Sequence, residues 1–113
     1  MGQHLKHDPK DDPVVRDFVA LIREKLGEHL KGVILFGSRA RGDADQDSDY
    51  DFLILMDEKK KNFEDIIHDI SYHMLDKHEA LINFFLYPES EFIRRTYAPL
   101  FINVRQEGIH LYG

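Results

Sequence analysis

Two kinds of hydrophobic repeat alternate along this chain. Val14, Val15, Phe18, Leu21, Ile22, Leu26 and Leu30 recur at three- and four-residue spacing, which predicts one buried helical face. Asp12 stands where a cap is expected, and Pro13 suits the first helical turn. Gly32 then leads into a short unbroken apolar run, Val33 to Phe36, read as a first strand. A second strand follows a polar loop. After Asp49 and Asp51 one of its faces continues with Leu53 and Leu55, and the other carries Tyr50, Phe52, Ile54 and Met56. A strand apolar on both faces is buried. Asn62 opens a second amphipathic helix through Phe63, Ile66, Ile67, Ile70, Met74 and Leu75, with Asp65 placed like a capping-box acid. A third strand, Ala80 to Tyr87, ends at Pro88. Ser90 caps a helical turn through Ile93, Pro99 opens a helix to Gln106 that Gly108 closes, and Ile109 to Tyr112 forms a short final strand.

Composition narrows the class. The 113 residues suit one domain that buries roughly two-thirds of its unfolded surface. Residues 1–12 read as a polar, flexible lead, and 13–113 as a single domain without repeat or linker. No apolar run is long enough to span a bilayer, and no signal peptide is visible. With no cysteine, disulfides and thiolate metal sites are excluded, and a cytoplasmic setting is expected. Fifteen Lys and Arg against 21 Asp and Glu give a net charge of −6, which argues against duplex nucleic acid as a partner.

The chemistry concentrates where the first two strands meet the loop between them. Side chains at i and i+2 of a strand share a face, their Cα atoms about 6.6–7 Å apart. Asp49 and Asp51 can therefore share one magnesium, or bracket two ions about 3.5–4 Å apart. Carboxylates at the mouth of a buried strand are costly to desolvate, and a cation resolves that cost. Magnesium takes one or two carboxylates plus water and substrate phosphates. Upstream, the strand ending at Phe36 runs into Gly37, then Ser38 at an expected N-cap, then Ala40 and Arg41 before Gly42. A strand, a glycine and a helix start present free N–H groups to an anion. Arg39 and Arg41 can add charge-assisted hydrogen bonds.

Gly37-Ser38, ten residues and Asp49-x-Asp51, within Phe36-Gly37-Ser38-Arg39-Ala40-Arg41-Gly42 and Ser48-Asp49-Tyr50-Asp51-Phe52, resemble the signature of the minimal nucleotidyltransferases of the DNA polymerase β-like superfamily. The resemblance covers most of the chain. It implies an α/β (α+β) protein, a small mixed β-sheet packed with helices. It implies transfer of a nucleoside monophosphate, usually AMP from ATP, with two Mg2+ ions and release of pyrophosphate. Ser38 then contacts the terminal phosphates, with Gly37, Arg39 and Arg41 around them, and Asp49 and Asp51 hold the metal. The family also carries a third carboxylate, usually Asp, on a later strand. Glu79 stands there in this sequence, with Asp76 a weaker substitute. The extra methylene displaces the acid by about a bond length, and misplacement of order 1 Å costs about a hundredfold in rate.

The resemblance further implies an antitoxin that transfers AMP to a tyrosine of a helical HEPN-type ribonuclease. Two alternatives stand beside this: a catalytically weak module that neutralises its partner by occlusion, and an enzyme acting on a small hydroxyl compound. Homo-oligomerisation is left open. Phe84, Phe85 and Tyr97 are available for an interface, although strand aromatics are more commonly core. Asp43, Asp45 and Asp47 read as solvated turn residues, and Lys59, Lys60 and Lys61 as a solvated run. His68, His73 and His78 recur every five residues, which spreads them around a helix and prevents a shared metal. His4 and His7 lie in the lead, and His29 and His110 are isolated.

Overall fold

A computed structural model describes residues 8–58 and 61–113. The first helix, α1 (Pro13–Leu26), is capped by Asp12, whose carboxylate accepts from Val14 N at 2.8 Å. It stops earlier than the apolar spacing suggests. Gly27 takes a left-handed φ of 57°, a short 3-10 turn follows, and Leu30 opens β1 (Leu30–Phe36) instead of ending the helix. A single helical turn, α2 (Ser38–Arg41), and a loop lead to β2 (Tyr50–Met56). Then come α3 (Lys61–His78), β3 (Ile82–Pro88), α4 (Glu89–Arg94), α5 (Pro99–Glu107) and β4 (Ile109–Tyr112). Residues 59 and 60 of the lysine run and residues 1–7 of the lead fall outside the described residues. Residues 8–12 form a turn, with Tyr50 donating its hydroxyl to Asp12 at 2.7 Å.

The four strands form one mixed sheet in the order β3-β2-β1-β4. β1 pairs antiparallel with β2 and β4, whereas β2 and β3, joined through α3, run parallel. Both sheet faces are covered, so β2 is buried on both sides as its sequence demands. On one face Tyr50, Phe52, Ile54 and Met56 pack against α1 and α3, with the Phe18 and Phe52 rings stacked at 4.4 Å. On the other, Leu53, Leu55 and Ile34 meet Phe101 and Val104 of α5. Each large side chain so buried contributes about 1.5–3 kcal/mol of transfer free energy. This clamps β1 and β2 in register and fixes the polar ends where Phe36 pairs with Asp51.

Candidate active site

The antiparallel register carries Asp51 to the turn that follows β1. Gly37 has φ 76° and ψ −160°, and a Cβ built on it would stand 2.3 Å from Asp51 Oδ2. No side chain other than hydrogen fits, so the carboxylate lies directly against the turn backbone. Gly37, not Ser38, caps α2, and Ser38 is its first residue. Ala40 and Arg41 donate their N–H groups to Gly37 O, and no side chain closes the turn. The Gly37 turn and the Asp51 carboxylate therefore lie directly against each other.

Asp49 immediately precedes β2, and both carboxylates converge. Asn83 donates from a single Nδ2 to Asp49 Oδ2 at 3.0 Å and to Asp51 Oδ1 at 3.1 Å. Burial pushes the Asp51 carboxyl above its ordinary value, and the charges of Asp49 and Glu107 push the same way, against the Asn83 hydrogen bond and Arg41. A cation beside Asp51 would offset that cost. Two converging carboxylates are the hard oxygen ligands that suit magnesium. Among the described residues no group of three His, Cys, Asp or Glu gathers into an all-protein cage. The set therefore fits an ion that arrives with its phosphates.

The third position differs from the sequence expectation. Because α3 continues to His78 and β3 begins only at Ile82, the residue paired with Asp51 across the parallel register is Asn83. Glu79 is instead the exposed left-handed residue after α3, with φ 55° and its N–H donated to Leu75 O at 2.9 Å. Its carboxylate makes no hydrogen bond to Asp49, Asp51 or Asn83. Asp76 is likewise exposed on α3. The signal for Asn83 was present: Tyr50-Asp51-Phe52 and Ile82-Asn83-Phe84 carry the same apolar–polar–apolar pattern on neighbouring strands.

The arginines also divide. Arg39 stacks on Tyr50 at 4.1 Å and donates to the carbonyls of Ser48 and Gln46, so it fastens the loop before Asp49. Arg41 pairs with Asp43 at 3.1 Å and with Glu107 Oε2 at 2.8 Å. That same Glu107 oxygen accepts from Gly37 N at 2.6 Å. A carboxylate at the last turn of α5 sits at the unfavourable end of the helix dipole, which is the one sequence hint of a tertiary role. Among the described residues no histidine hydrogen-bonds to Asp49 or Asp51. His29 is not isolated but pairs with Asp57 at 2.8 Å, and His78 meets Asp17 at 2.9 Å.

A nucleotidyltransferase domain family model matches residues 15–107, spanning both the turn and the acid pair. The chain belongs to the nucleotidyltransferase family. A relative in Methanocaldococcus jannaschii, provisionally named protein adenylyltransferase MJ0604, is 33% identical over 102 residues, 90% of this chain and 98% of its own. Among solved structures, a toxin–antitoxin complex described as a MntA-HpeT mutant matches with TM-score 0.60 at 20% identity, covering 87% of this chain and 71% of that one. A toxin–antitoxin structure with AMP-PNP matches with TM-score 0.58 at 17% identity, covering 85% and 71%. These two structural likenesses establish the fold. In this nucleotidyltransferase the sheet brings the Gly37 turn and the acid-bearing segment together.

Proposed function

We propose that this nucleotidyltransferase is a protein adenylyltransferase that moves AMP from Mg-ATP to a tyrosine of a HEPN-type ribonuclease, acting as its antitoxin. The observation that carries the reading is the contact between Asp51 and the Gly37 turn, which joins the phosphate-facing and cation-facing halves into one site. The name of the M. jannaschii relative and the toxin–antitoxin setting of the structural neighbours support the acceptor class. Magnesium held by Asp49 and Asp51 would neutralise charge at the transferring phosphate. Ser38 Oγ and the N–H groups of Ser38 and Arg39 would receive the β- and γ-phosphates, and Arg41 would supply a cation at the same edge. The acceptor oxygen bonds to the α-phosphorus, the bond to the pyrophosphate oxygen breaks, and the acceptor proton passes to water. The product is an AMP ester. Glu107 must release Gly37 N–H for a phosphate to take its place.

The acceptor surface has a physical candidate. β3 is an edge strand, and a groove of about 480 Å³ runs between it and α3, lined by Tyr72, Leu75, Leu81, Asn83 and Phe85. Tyr72 is 69% and Leu81 53% exposed, and with Glu64, His68 and Ser71 also in the lining the groove offers mixed polar and apolar walls up to Asn83. Phe84 is instead half-buried against His68. The test is co-expression with a HEPN-type helical protein, followed by intact-mass analysis and incubation with labelled ATP and Mg2+. One added AMP, lost in Asp51→Asn, is the expected result. Neutralisation without added AMP would establish the occlusion reading. Transfer to a free hydroxyl compound without protein would move the assignment to a small-molecule enzyme.

A further inference from the structure

We propose that Asn83 is the third residue of the cation site: its amide N–H2 bridges Asp49 and Asp51 in the free enzyme, and its carbonyl oxygen turns to the ion when one binds. The inference rests on the reading of Asp49 and Asp51 as the metal-holding pair, and it deepens that reading. Two observations carry it. The parallel register sets Asn83 beside Asp51, on the sheet face it shares with Leu53 and Phe85. One Nδ2 then spans both carboxylates at 3.0 and 3.1 Å.

Between two anions only the donor end of an amide can face inward, since the carbonyl would add a third negative dipole. A cation in the same place reverses that demand. The two ends of the amide are nearly equal in size, so a half-turn about the Cβ–Cγ bond exchanges donor for acceptor without moving β3. A carbonyl oxygen is a hard ligand that suits Mg2+ or Mn2+. The amide also sets the charge. With Asn83 the three side chains carry two negative charges where a third carboxylate would give three. The protein alone therefore holds a free ion weakly, and the ion is retained chiefly with its triphosphate. Asn83 coordinates and positions; having no basic atom, it does not take the acceptor's proton.

The experiment is a Mn2+ titration without nucleotide, read by electron paramagnetic resonance of the free ion. It uses wild type, Asn83→Asp, Asn83→Leu, Asp51→Asn and Glu79→Gln. Asn83→Asp should bind at least about tenfold more tightly and Asn83→Leu about tenfold more weakly, the scale of losing one metal-site partner. Asp51→Asn should lose binding. Alongside, the Asn83 side-chain 1H–15N pair, assigned by its absence in Asn83→Asp, should shift when Mg2+ and AMP-PNP are added to wild type. A stationary Asn83 signal overturns the inference without depending on any variant's folding. So do unchanged affinities in both Asn83 variants while Asp51→Asn is impaired, or an effect confined to Glu79→Gln. Wild-type binding by Asp51→Asn would instead sink the underlying metal assignment.

Discussion

At Gly37 one carbon decides whether the two halves of the site can meet. A Cβ there would lie 2.3 Å from Asp51 Oδ2, and φ 76° already penalises any side chain. Gly37→Ala is therefore expected to push the acid away from the turn. Transfer should fall by about a hundredfold or more, the scale set by misplacement of order 1 Å. Steady-state rates and AMP-PNP binding check it, with both falling while the circular dichroism spectrum is retained. Asp51 makes the opposite trade. Burial and the neighbouring Asp49 and Glu107 charges raise its proton affinity in the fold, so its ionised form opposes folding when no metal is present. Asp51→Asn should abolish transfer and raise the metal-free melting temperature at pH 7.5. The advantage should fade as pH falls through the raised carboxyl pKa, because the wild-type acid is then neutral as well. A metal-free Asp51→Asn protein that melts below wild type at pH 7.5 would contradict the electrostatic account.

Among the elements, the last turn of α5 bears on the site through Glu107, which ties Gly37 N–H and Arg41 together. Glu107→Gln keeps an acceptor but removes the charge that competes with phosphate. It should tighten nucleotide binding several-fold while lowering stability by about 1 kcal/mol, the cost of weakening a charge-assisted hydrogen bond. Calorimetric titration with AMP-PNP and a melting curve separate the two effects. A second clamp joins α1 to α3, where Asp17 Oδ2 meets Lys77 Nζ and His78 Nε2, each at 2.9 Å. Hydrogen bonds from Lys77 and then His78 hold the Asp17 carboxyl below its ordinary value. Its stabilisation is present above the unfolded-state pKa of about 3.9 and is lost as pH falls through the lowered one. The stability gap between wild type and Asp17→Asn, measured by urea melts from pH 6 to 2.5, should close at the acid end. Element identities were legible because the apolar repeats are consistent; element ends were not. Leu30 fits a helical repeat, yet Gly27 ends α1 first. Glu79 sits where a strand start was expected, but α3 runs on to His78 and shifts the register to Asn83. Turn and pair were readable from local spacing. Asn83 and Glu107 reach the site through long-range pairing, so their local signals, a matching strand pattern and an acid at a helix end, could not say what they meet.

Over the whole molecule, the buried faces of β2 anchor the site, while the −6 net charge opposes the approach of a bare triphosphate, so on the proposed reading magnesium would bring it close. Mg2+ with AMP-PNP should raise the melting temperature together far more than either alone. At a ligand concentration about 100-fold above Kd the gain is about 2.7 kcal/mol. Additive shifts from ion and nucleotide in a thermal melt would contradict a shared site. The site also draws on distant parts of the chain. Gly37 is bonded to Glu107 across 70 positions, and Asp51 reaches Asn83 across 32. A nascent chain that has released only β1 and β2 from the ribosome thus lacks both of these contacts. Pairing of β1 with β2 can therefore precede the finished pocket, which takes its shape only once β3 and α5 have docked.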